Sequence, residues 1–519
     1  MMGRILEAMQ NIRTRVDMVD VLILENNNIP HLPSRAFGSV KVNRLFIENN
    51  RIQTIDRNAF AGVESYLTEI YIKEPSLNAL PHDAINYLRA LSVFSIDSSQ
   101  VQEMPTVNGL QKLKLLKIDK SNITSIPPNT LKNLPGLRYL HVTNSRLQRL
   151  EVGVLENLPY LVLANFTGNQ ISWIHPRAFR YMEQMQELVL ADNDIRDADM
   201  VGQAVKVIKT IQKLDVSNNK IEKLRDGSFL DIISLQEMTL ANNRLTLMQR
   251  AAFHRLPRLK KIDLSNNRIR NFHSEVFSDT PVVEELVLHN NQISKVGISA
   301  AHLTFYQLIV FSKVTDVSFM IDSLPLLHLL DLGHNLIEEI PYGAMRGYPR
   351  LEKLLLAGNQ IGKLSEDAFA DLPSLTQLEL SSNKLTSQSI DGAVFNLPNL
   401  KSLDIASNKL SKINKRLLQS LKSLKRLNVA ENMITLIEPG SLQMTKQLDY
   451  LNISHNNLRE AGPAMFEGLG KLFELDLSHN ELVTLTDHTF IDQKDLEFVN
   501  LSFNQIQLVS SHLFAKMNR

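Results

Sequence analysis

Apolar and polar residues alternate along this chain in one pattern that recurs from end to end. Stretches such as LDVSNNKI from Leu214, DLSNNRI from Asp263 and LDIASNKL around Asn408 share it. The asparagines inside them recur every 24 residues in two long series: Asn219, Asn243, Asn267 and Asn291, then Asn432, Asn456, Asn480 and Asn504. About 21 units of this period fill the chain.

Each unit reads LxxLxLxxNxLxxLxxxxFxxLxx. The LxL alternation predicts a short strand with every second side chain inward. Stacked units then form one parallel sheet with strands ~4.8 Å apart. The asparagine is predicted to satisfy backbone groups of its own turn and of the neighbouring turn. The apolar residues ten positions later are predicted to stack as a structural spine: Phe37, Phe60, Phe179, Phe229, Phe253, Phe277, Phe369, Phe466, Phe490 and Phe514.

This pattern resembles the 24-residue "typical" class of leucine-rich repeats, and its style is similar to chaoptin-like and artichoke-like invertebrate proteins. The resemblance covers nearly the whole chain. It implies an α/β leucine-rich-repeat solenoid, right-handed and gently curved. The parallel sheet would form its concave face, and irregular or short helical segments its convex side. It also implies an extracellular or cell-surface protein, since such arrays lie at cell surfaces or in apical matrix.

The organisation predicted is a single array over residues 1–519, with a weak N-terminal cap at 1–18. Two irregular regions are expected, at about 66–155 and 297–325. In the first, Pro75, Ser99, Ser121 and Ser145 occupy the place of the asparagine, and serine bonds the turn more weakly. Terminal repeats need polar caps. We therefore expect the chain to be a segment of a longer protein whose signal, caps and anchor lie elsewhere.

Composition narrows the function classes. The 519 residues carry a net charge of +1 and no cysteine, which excludes a disulfide framework and a thiolate metal site. No apolar run reaches the ~18 residues of a membrane span, and the first twenty residues lack the apolar core of a signal peptide. The near-neutral net charge, and the lack of aromatic residues interleaved with the basic ones, disfavour nucleic acid as a partner.

Motifs for catalysis or cofactor binding are absent from the sequence, including GxGxxG, GxxxxGK, HExxH and GxSxG. We therefore predict a non-enzyme without cofactor or metal. A spaced acidic series could suggest metal binding, but its members are too far apart to share a calcium ion: Asp215, Asp263, Asp331, Asp404 and Asp476. His455 and His479 hold one position in adjacent units. That position could bind a metal or sense pH, or simply carry a common variant of asparagine.

Four sequons permit N-glycosylation if the chain is secreted, at Asn122, Asn165, Asn452 and Asn500. The repeat consensus also creates such triplets as a by-product, so they support secretion only slightly. Basic residues are concentrated between 111 and 150, where one acid, Asp119, accompanies them: Lys112, Lys114, Lys117, Lys120, Lys132, Arg138, Arg146 and Arg149. Such a cluster attracts acidic glycans or an acidic protein face, or is a solvated surface without a partner.

The outward strand positions predict where a partner binds. Most units place small polar residues there, but units two to six carry aromatic and basic ones: Arg44, Phe46, Tyr71, Lys114, Lys117, Tyr139 and His141. Aromatic and arginine side chains are the usual anchors of interfaces. The alternative is that these aromatic rings merely pack on one another.

The function predicted is binding of a protein or glycan partner through the concave face, in cell adhesion or extracellular matrix. Homophilic contact is one form this binding could take. Two alternatives remain open: a fragment of a Toll-like immune receptor ectodomain, and an intracellular scaffold or regulatory subunit of an enzyme.

Overall fold

The repeated LxL motif forms short parallel strands, as its alternation predicts. The structure, a computed structural model, describes residues 17–38, 40–79, 82–104, 106–155, 158–270, 272, 274–294, 324–369, 371–391, 396–510 and 512–514. Within it the chain divides into two units. Unit 1 comprises residues 1–245 and 251–259, and unit 2 comprises residues 246–250 and 260–519.

Unit 1 is a solenoid whose described strands form a parallel sheet. In order across this sheet they are β1 (Val19–Glu25), β3 (Val42–Glu48), β5 (Glu69–Lys73), β6 (Val93–Asp97), β8 (Leu115–Asp119), β10 (Tyr139–Thr143), β12 (Leu163–Asn165), β14 (Glu187–Val189), β15 (Lys213–Asp215) and β17 (Glu237–Thr239). Shorter strands lie beyond each turn: β2 (His31–Leu32), β4 (Thr54–Ile55), β7 (Val107–Asn108), β9 (Leu131–Lys132), β11 (Arg149–Leu150), β13 (Trp173–Ile174) and β16 (Lys223–Leu224).

Unit 2 repeats this architecture. Its sheet strands, again parallel, are β19 (Lys261–Asp263), β20 (Glu285–Val287), β21 (Leu329–Asp331), β23 (Lys353–Leu355), β25 (Gln377–Glu379), β26 (Ser402–Asp404), β28 (Arg426–Asn428), β30 (Tyr450–Asn452), β32 (Glu474–Asp476) and β34 (Phe498–Asn500). Its shorter strands are β18 (Leu247–Met248), β22 (Glu339–Ile340), β24 (Lys363–Leu364), β27 (Lys412–Ile413), β29 (Leu436–Ile437), β31 (Glu460–Ala461), β33 (Thr484–Leu485) and β35 (Leu508–Val509).

Helices are short and few among the described residues. They are α1 (His82–Ile85), α2 (Ala198–Val205), α3 (Ser387–Asp391) and α4 (Lys415–Leu418), with 3-10 turns at Ser274–Phe277 and Pro463–Met465. Helix α2 begins at an N-cap, Asp197, whose side chain accepts a hydrogen bond from the backbone N–H of Asp199. The helix packs closely on the next turn, because a Cβ added to Gly202 would lie 1.8 Å from the carbonyl oxygen of Ser228.

The core follows from strand alternation. In β19 and just beyond it, Ile262 and Leu264 are 1% and 0% exposed, whereas Asp263 between them is partly exposed. Full burial of one such aliphatic side chain stabilises the fold by about 1.5–3 kcal/mol. The sequence-based register is therefore confirmed for this repeat.

The repeated asparagines hold successive turns together, as predicted. Asn169 is buried, its amide donates to the carbonyl oxygen of Val142 at 2.7 Å, and its side-chain oxygen accepts from the backbone N–H of Leu147 at 3.1 Å. Asn359 in unit 2 makes the same pair of contacts with Leu332 and Ile337. Each of these side chains thus satisfies backbone groups that would otherwise be buried without partners.

The phenylalanine spine is also present within each unit. Phe37 stacks on Phe60 with ring centroids 5.8 Å apart, and Phe466 lies 5.7 Å from Phe490. Phe514 stacks on Phe490 but is 45% exposed. Phe37, Phe60, Phe466 and Phe490 are buried, so these four rings are core residues rather than a ligand site.

In the stretch where proline and serine replace the repeat asparagine, other side chains make hydrogen bonds between the turns. Where Pro75 stands at the asparagine position, the preceding Glu74 is fully buried and accepts hydrogen bonds from the backbone N–H groups of Asn50 and Ile52. Further along, the hydroxyl groups of Ser99 and Ser121 lie 2.8 Å apart. The strands of this stretch pair in continuous register from β3 to β10.

Two predicted features lie outside the described residues. Of the N-terminal cap expected at 1–18, the structure describes only residues 17 and 18. Of the irregular repeat expected at 297–325, the structure describes only residues 324 and 325.

Candidate functional site

Outward side chains of the unit 1 sheet lie in two rows, and we call the face that carries them the open face. The strand register sets both rows. Row A contains Val21, Arg44, Glu69, Val93, Leu115, Tyr139 and Leu163. Row B contains Ile23, Phe46, Tyr71, Ser95, Lys117, His141 and Asn165. Six of the seven predicted partner-binding residues stand in these rows.

The first half of the rows holds an aromatic pair. Phe46 and Tyr71 stack face to face, with ring centroids 4.6 Å apart and ring planes 6° apart. The Tyr71 hydroxyl donates to the Glu69 carboxylate at 3.1 Å. Burial, together with this hydrogen bond, raises the pKa of Tyr71. Both rings are only half-buried, so the pair packs internally and still presents an apolar surface.

Arg44 lies beside this pair and is held in place. Its guanidinium forms an ion pair with the Asp20 carboxylate at 2.5 Å, and the Asn43 amide donates to the same carboxylate at 2.8 Å. The hydrogen bond with Asp20 raises the pKa of Arg44. Arg44 therefore stays charged and oriented at the edge of the aromatic pair.

The second half of the rows holds Tyr139, Lys117 and His141. Tyr139 is 45% exposed. Burial, reinforced by the neighbouring Lys117 charge, lowers the pKa of His141. Tyr139 is three strands away from Tyr71, or ~14 Å at the usual strand spacing. The predicted residues therefore line an extended strip and do not meet at one point.

Lys114 is the predicted residue that stands outside both rows. It immediately precedes β8 and is exposed, so it lies at the end of the strand, beside Leu115 of row A. The predicted set therefore places one cation at the edge of the strip rather than on it.

Sequence reasoning missed the apolar members of the rows. Ile23 is 59% exposed and Val21 is 38% exposed, and Val93, Leu115 and Leu163 are half-buried. Comparable positions elsewhere hold polar residues such as Asp263. The available signal was an aliphatic residue at an outward strand position. Apolar side chains of this kind are enriched in the buried centres of interfaces.

The spaced aspartates of the LDLS motif have a structural role that sequence reasoning did not assign. The Asp215 carboxylate accepts from the backbone N–H of Ser217 at 2.9 Å, and that of Asp404 accepts from the N–H of Ala406 at 2.9 Å. Each side chain closes the turn after its own strand.

The sequon asparagines lie on two kinds of position. Asn165, Asn452 and Asn500 belong to sheet strands and point outward, half-buried. Asn122 lies after β8 and donates to the Gln100 side chain at 2.9 Å. Asn165 continues row B directly after His141, so a glycan there would border the strip.

The paired histidines of unit 2 form a stack. The His455 and His479 rings lie 3.9 Å apart, and His479 also stacks on Phe503 at 4.1 Å. Within the described residues, no group of three or more His, Cys, Asp or Glu side chains is arranged to hold a metal ion. The described part of the chain likewise has no helix long and apolar enough to cross a membrane.

Comparison with known families gives one consistent result. The family described as "Leucine rich repeat" matches residues 135–195, 209–269, 233–293, 257–304, 325–385, 386–434, 398–458, 423–482 and 446–506. A second description, "BspA type Leucine rich repeat region (6 copies)", matches residues 21–108. Together these matches cover most of the chain.

The sequence identity between this chain and individual relatives is low. Mouse Podocan-like protein 1 is 24% identical over 41% of this chain and 42% of its own length. Bovine Toll-like receptor 3 is 26% identical over 42% of this chain and 20% of its own. The chain thus spans less than half the length of these curated relatives.

A similar fold occurs in the solved Toll–Spatzle complex of Drosophila. That structure covers 95% of this chain and 62% of its own, with a TM-score of 0.69 and 16% identity. At this identity the likeness concerns the fold alone.

Proposed function

The chain belongs to the leucine-rich-repeat family, and we propose that it binds a protein or glycan partner through the open face of unit 1. In this proposal it acts as an adhesion or matrix protein, extracellular or at the cell surface. Its curated relatives are receptors and matrix proteins rather than enzymes. A recognition role without catalysis is therefore the function that the family favours.

The observation that carries the proposal is the stacked Phe46–Tyr71 pair on the open face. Soluble proteins seldom leave contiguous apolar surface exposed unless it serves as an interaction site. Here Ile23 and Val21 extend the apolar surface on one side, and Arg44 borders it. Stacked rings lose little freedom on binding, so they suit the role of interface anchors.

Resemblance to the chaoptin-like and artichoke-like proteins supports the adhesion or matrix setting. Glycosylation at Asn122, Asn165, Asn452 and Asn500 belongs to the same proposal, since it requires passage through the secretory route. Within the open face of unit 1, the glycan on Asn165 would mark the end of the contact strip.

A second candidate is the ectodomain of a Toll-like receptor. The match to Toll-like receptor 3 favours it. The full-length transcript distinguishes the two candidates, because a receptor requires a membrane helix followed by a cytosolic signalling domain.

The proposal is tested with a panel of secreted proteins and cell-surface ectodomains. The chain is screened against the panel as wild type, as Phe46→Ala/Tyr71→Ala, and as a control, Tyr160→Ala/Tyr181→Ala. The control removes two exposed aromatic rings that lie outside rows A and B. A partner lost by the first variant and kept by the control supports the proposal. Partners lost equally by both variants, or no partner at all, contradict it.

A further inference from the structure

Four neighbouring strands of the unit 2 sheet carry an outward row of large side chains. The strand register aligns Arg426, Tyr450, Glu474 and Phe498 across β28, β30, β32 and β34. Phe498 is 50% exposed, and Tyr450 and Glu474 are half-buried. The row therefore presents two aromatic rings with one carboxylate between them. We call the space between the Tyr450 and Phe498 rings, above Glu474, the ring slot.

Arg426 holds the Tyr450 ring at one side of the ring slot. Its guanidinium carbon lies 3.9 Å from the centroid of that ring, which is a favourable cation–π arrangement. Because Arg426 stands on β28, the opposite face of the ring is turned toward β32, on the other side of β30. Tyr450 thus offers an oriented aromatic face, and little further side-chain freedom is lost when a ligand binds.

Glu474 lies between the two rings, and its charge is not neutralised by a neighbour. Acidic side chains at equivalent positions elsewhere pair with a lysine on the next strand, as Glu285 does with Lys261 at 2.7 Å and Glu237 with Lys213 at 2.9 Å. In the row, by contrast, the neighbours of Glu474 are aromatic. Among the described residues, no side chain forms a hydrogen bond or ion pair with its carboxylate. A half-buried carboxylate of this kind favours a cationic group on the ligand.

The distance between the two rings favours one conformation of the ligand. Tyr450 and Phe498 are two strands apart, or ~9.6 Å at the usual strand spacing. In a polyproline II helix, residues three apart lie on one side and are ~9.3 Å apart. The side chains on one side of an extended strand recur every ~6.7 Å, and one turn of an α-helix rises ~5.4 Å. The polyproline II repeat is therefore the one that matches the ring spacing.

We propose that the ring slot binds a proline-rich, basic segment of a partner protein in the polyproline II conformation. The segment crosses β30, β32 and β34, with prolines three residues apart against Tyr450 and Phe498. An arginine or lysine between these prolines projects from another edge of the helix, and its long side chain reaches the Glu474 carboxylate. Aromatic-lined grooves suit such segments because the polyproline II helix is already ordered before it binds. This site lies in unit 2 and is additional to the face proposed for unit 1.

The probe is a synthetic peptide of Pro-Pro-Arg repeats, measured by fluorescence anisotropy on the full chain after removal of N-linked glycans. Removal is included because Asn452 and Asn500 lie two residues after Tyr450 and Phe498 on the same strands, where a glycan would border the ring slot. A Pro-Pro-Gln peptide lacks the charge, and an Ala-Ala-Arg peptide keeps the charge without the proline conformation. Chitotetraose tests whether the rings bind a sugar instead.

The variants separate the rings from the charge. Three of them alter the ring slot: Tyr450→Ala, Phe498→Ala and Glu474→Gln. Tyr342→Ala is the control for the rings, because Tyr342 is an exposed tyrosine outside the sheet strands with Arg346 over its ring at 4.8 Å. Glu460→Gln is the control for the charge, because Glu460 is exposed on β31.

We expect the wild type to bind the Pro-Pro-Arg peptide more tightly than either comparison peptide, and each ring variant to lose at least about tenfold in affinity. Glu474→Gln should weaken the Pro-Pro-Arg peptide and leave the weaker binding of the Pro-Pro-Gln peptide unchanged. Tyr342→Ala and Glu460→Gln should bind both peptides as the wild type does.

Other results would overturn the proposal. These are no binding of the Pro-Pro-Arg peptide, equal binding of the Ala-Ala-Arg peptide, or equal losses in Tyr450→Ala and Tyr342→Ala. Unchanged affinity of Glu474→Gln for the Pro-Pro-Arg peptide would remove the ion pair and with it the basic segment. Chitotetraose binding that needs both rings, with peptide binding that needs neither, would assign the ring slot to a glycan. Phe46→Ala/Tyr71→Ala should leave peptide binding unchanged, so the outcome does not depend on the function proposed for unit 1.

Discussion

The fully buried carboxylate of Glu74 accepts a hydrogen bond from the backbone N–H of Asn50 at 2.7 Å. It also accepts from the Asn50 side-chain amide at 2.9 Å and from the backbone N–H of Ile52 at 3.1 Å. The Glu74 carboxylate thus satisfies backbone N–H groups of the neighbouring turn, as the side-chain oxygen of an asparagine does in other repeats. Two oxygens allow it to serve two backbone groups at once.

Replacement of Glu74 by Ala is expected to destabilise unit 1 strongly. Two buried N–H groups lose their acceptor, and each costs about 1–3 kcal/mol when left unsatisfied. Thermal unfolding measures the loss. Glu25→Ala, which removes an exposed carboxylate from β1, is the control and should melt like the wild type. Similar melting of the Glu74 and Glu25 variants would show that water or a rearranged turn replaces the carboxylate.

Leu264→Asp is expected to damage unit 2 far more than Asp263→Ala. Leu264 is fully buried, and an unpaired charge in its place costs several kcal/mol. Asp263 accepts from the backbone N–H of Ser265 at 2.9 Å, so its removal costs about 0.5–1.5 kcal/mol. Chemical denaturation of both variants gives the comparison. Equal losses would contradict the strand register.

Gly202→Ala is expected to destabilise unit 1, although alanine favours helices over glycine in general. The added Cβ would meet the Ser228 carbonyl at 1.8 Å, so α2 would have to move away from the next turn. Gln203→Ala, at an exposed position of the same helix, is the control and should be neutral or slightly stabilising. A Gly202 variant as stable as this control would refute the close approach.

His141 should make unit 1 sensitive to mild acid. Burial lowers the pKa of His141 below its ordinary value of 6.5, so the unfolded chain binds the proton more readily than the folded chain does. The stability contribution is complete above pH 6.5 and is lost as the pH falls from there toward the lowered folded value. Melting curves across this range should show a smaller pH dependence for His141→Gln than for the wild type. Identical slopes would contradict the shift.

The strand register and the asparagine contacts could be predicted because each follows from a period that recurs along the chain. The role of Glu74 could not be predicted in this way. Pro75 occupies the asparagine position of the repeat, and the carboxylate that replaces the asparagine belongs to the preceding residue. The apolar members of row A were missed for a related reason. Leucine and valine in a repeat of this kind indicate core, and only the register shows that Leu115 and Val93 point outward.

The distances between the predicted site residues also could not be obtained from the sequence. Sequence placed Tyr71 and Tyr139 on the same face but gave no distance between them. The register separates them by three strands and assigns them to different rows. Lys114 falls outside both rows, because a residue that precedes the strand does not share its alternation.

Site-specific photo-crosslinking tests the central claim, that the open face of unit 1 holds the partner, most directly. A benzophenone amino acid is placed at Tyr71, at Tyr139, and at Tyr181, an exposed ring outside both rows. Each variant is irradiated with a partner obtained from the ectodomain panel. We predict covalent complexes from positions 71 and 139 and none from 181. Crosslinks from position 181 alone, in variants that melt like the wild type, would contradict the account.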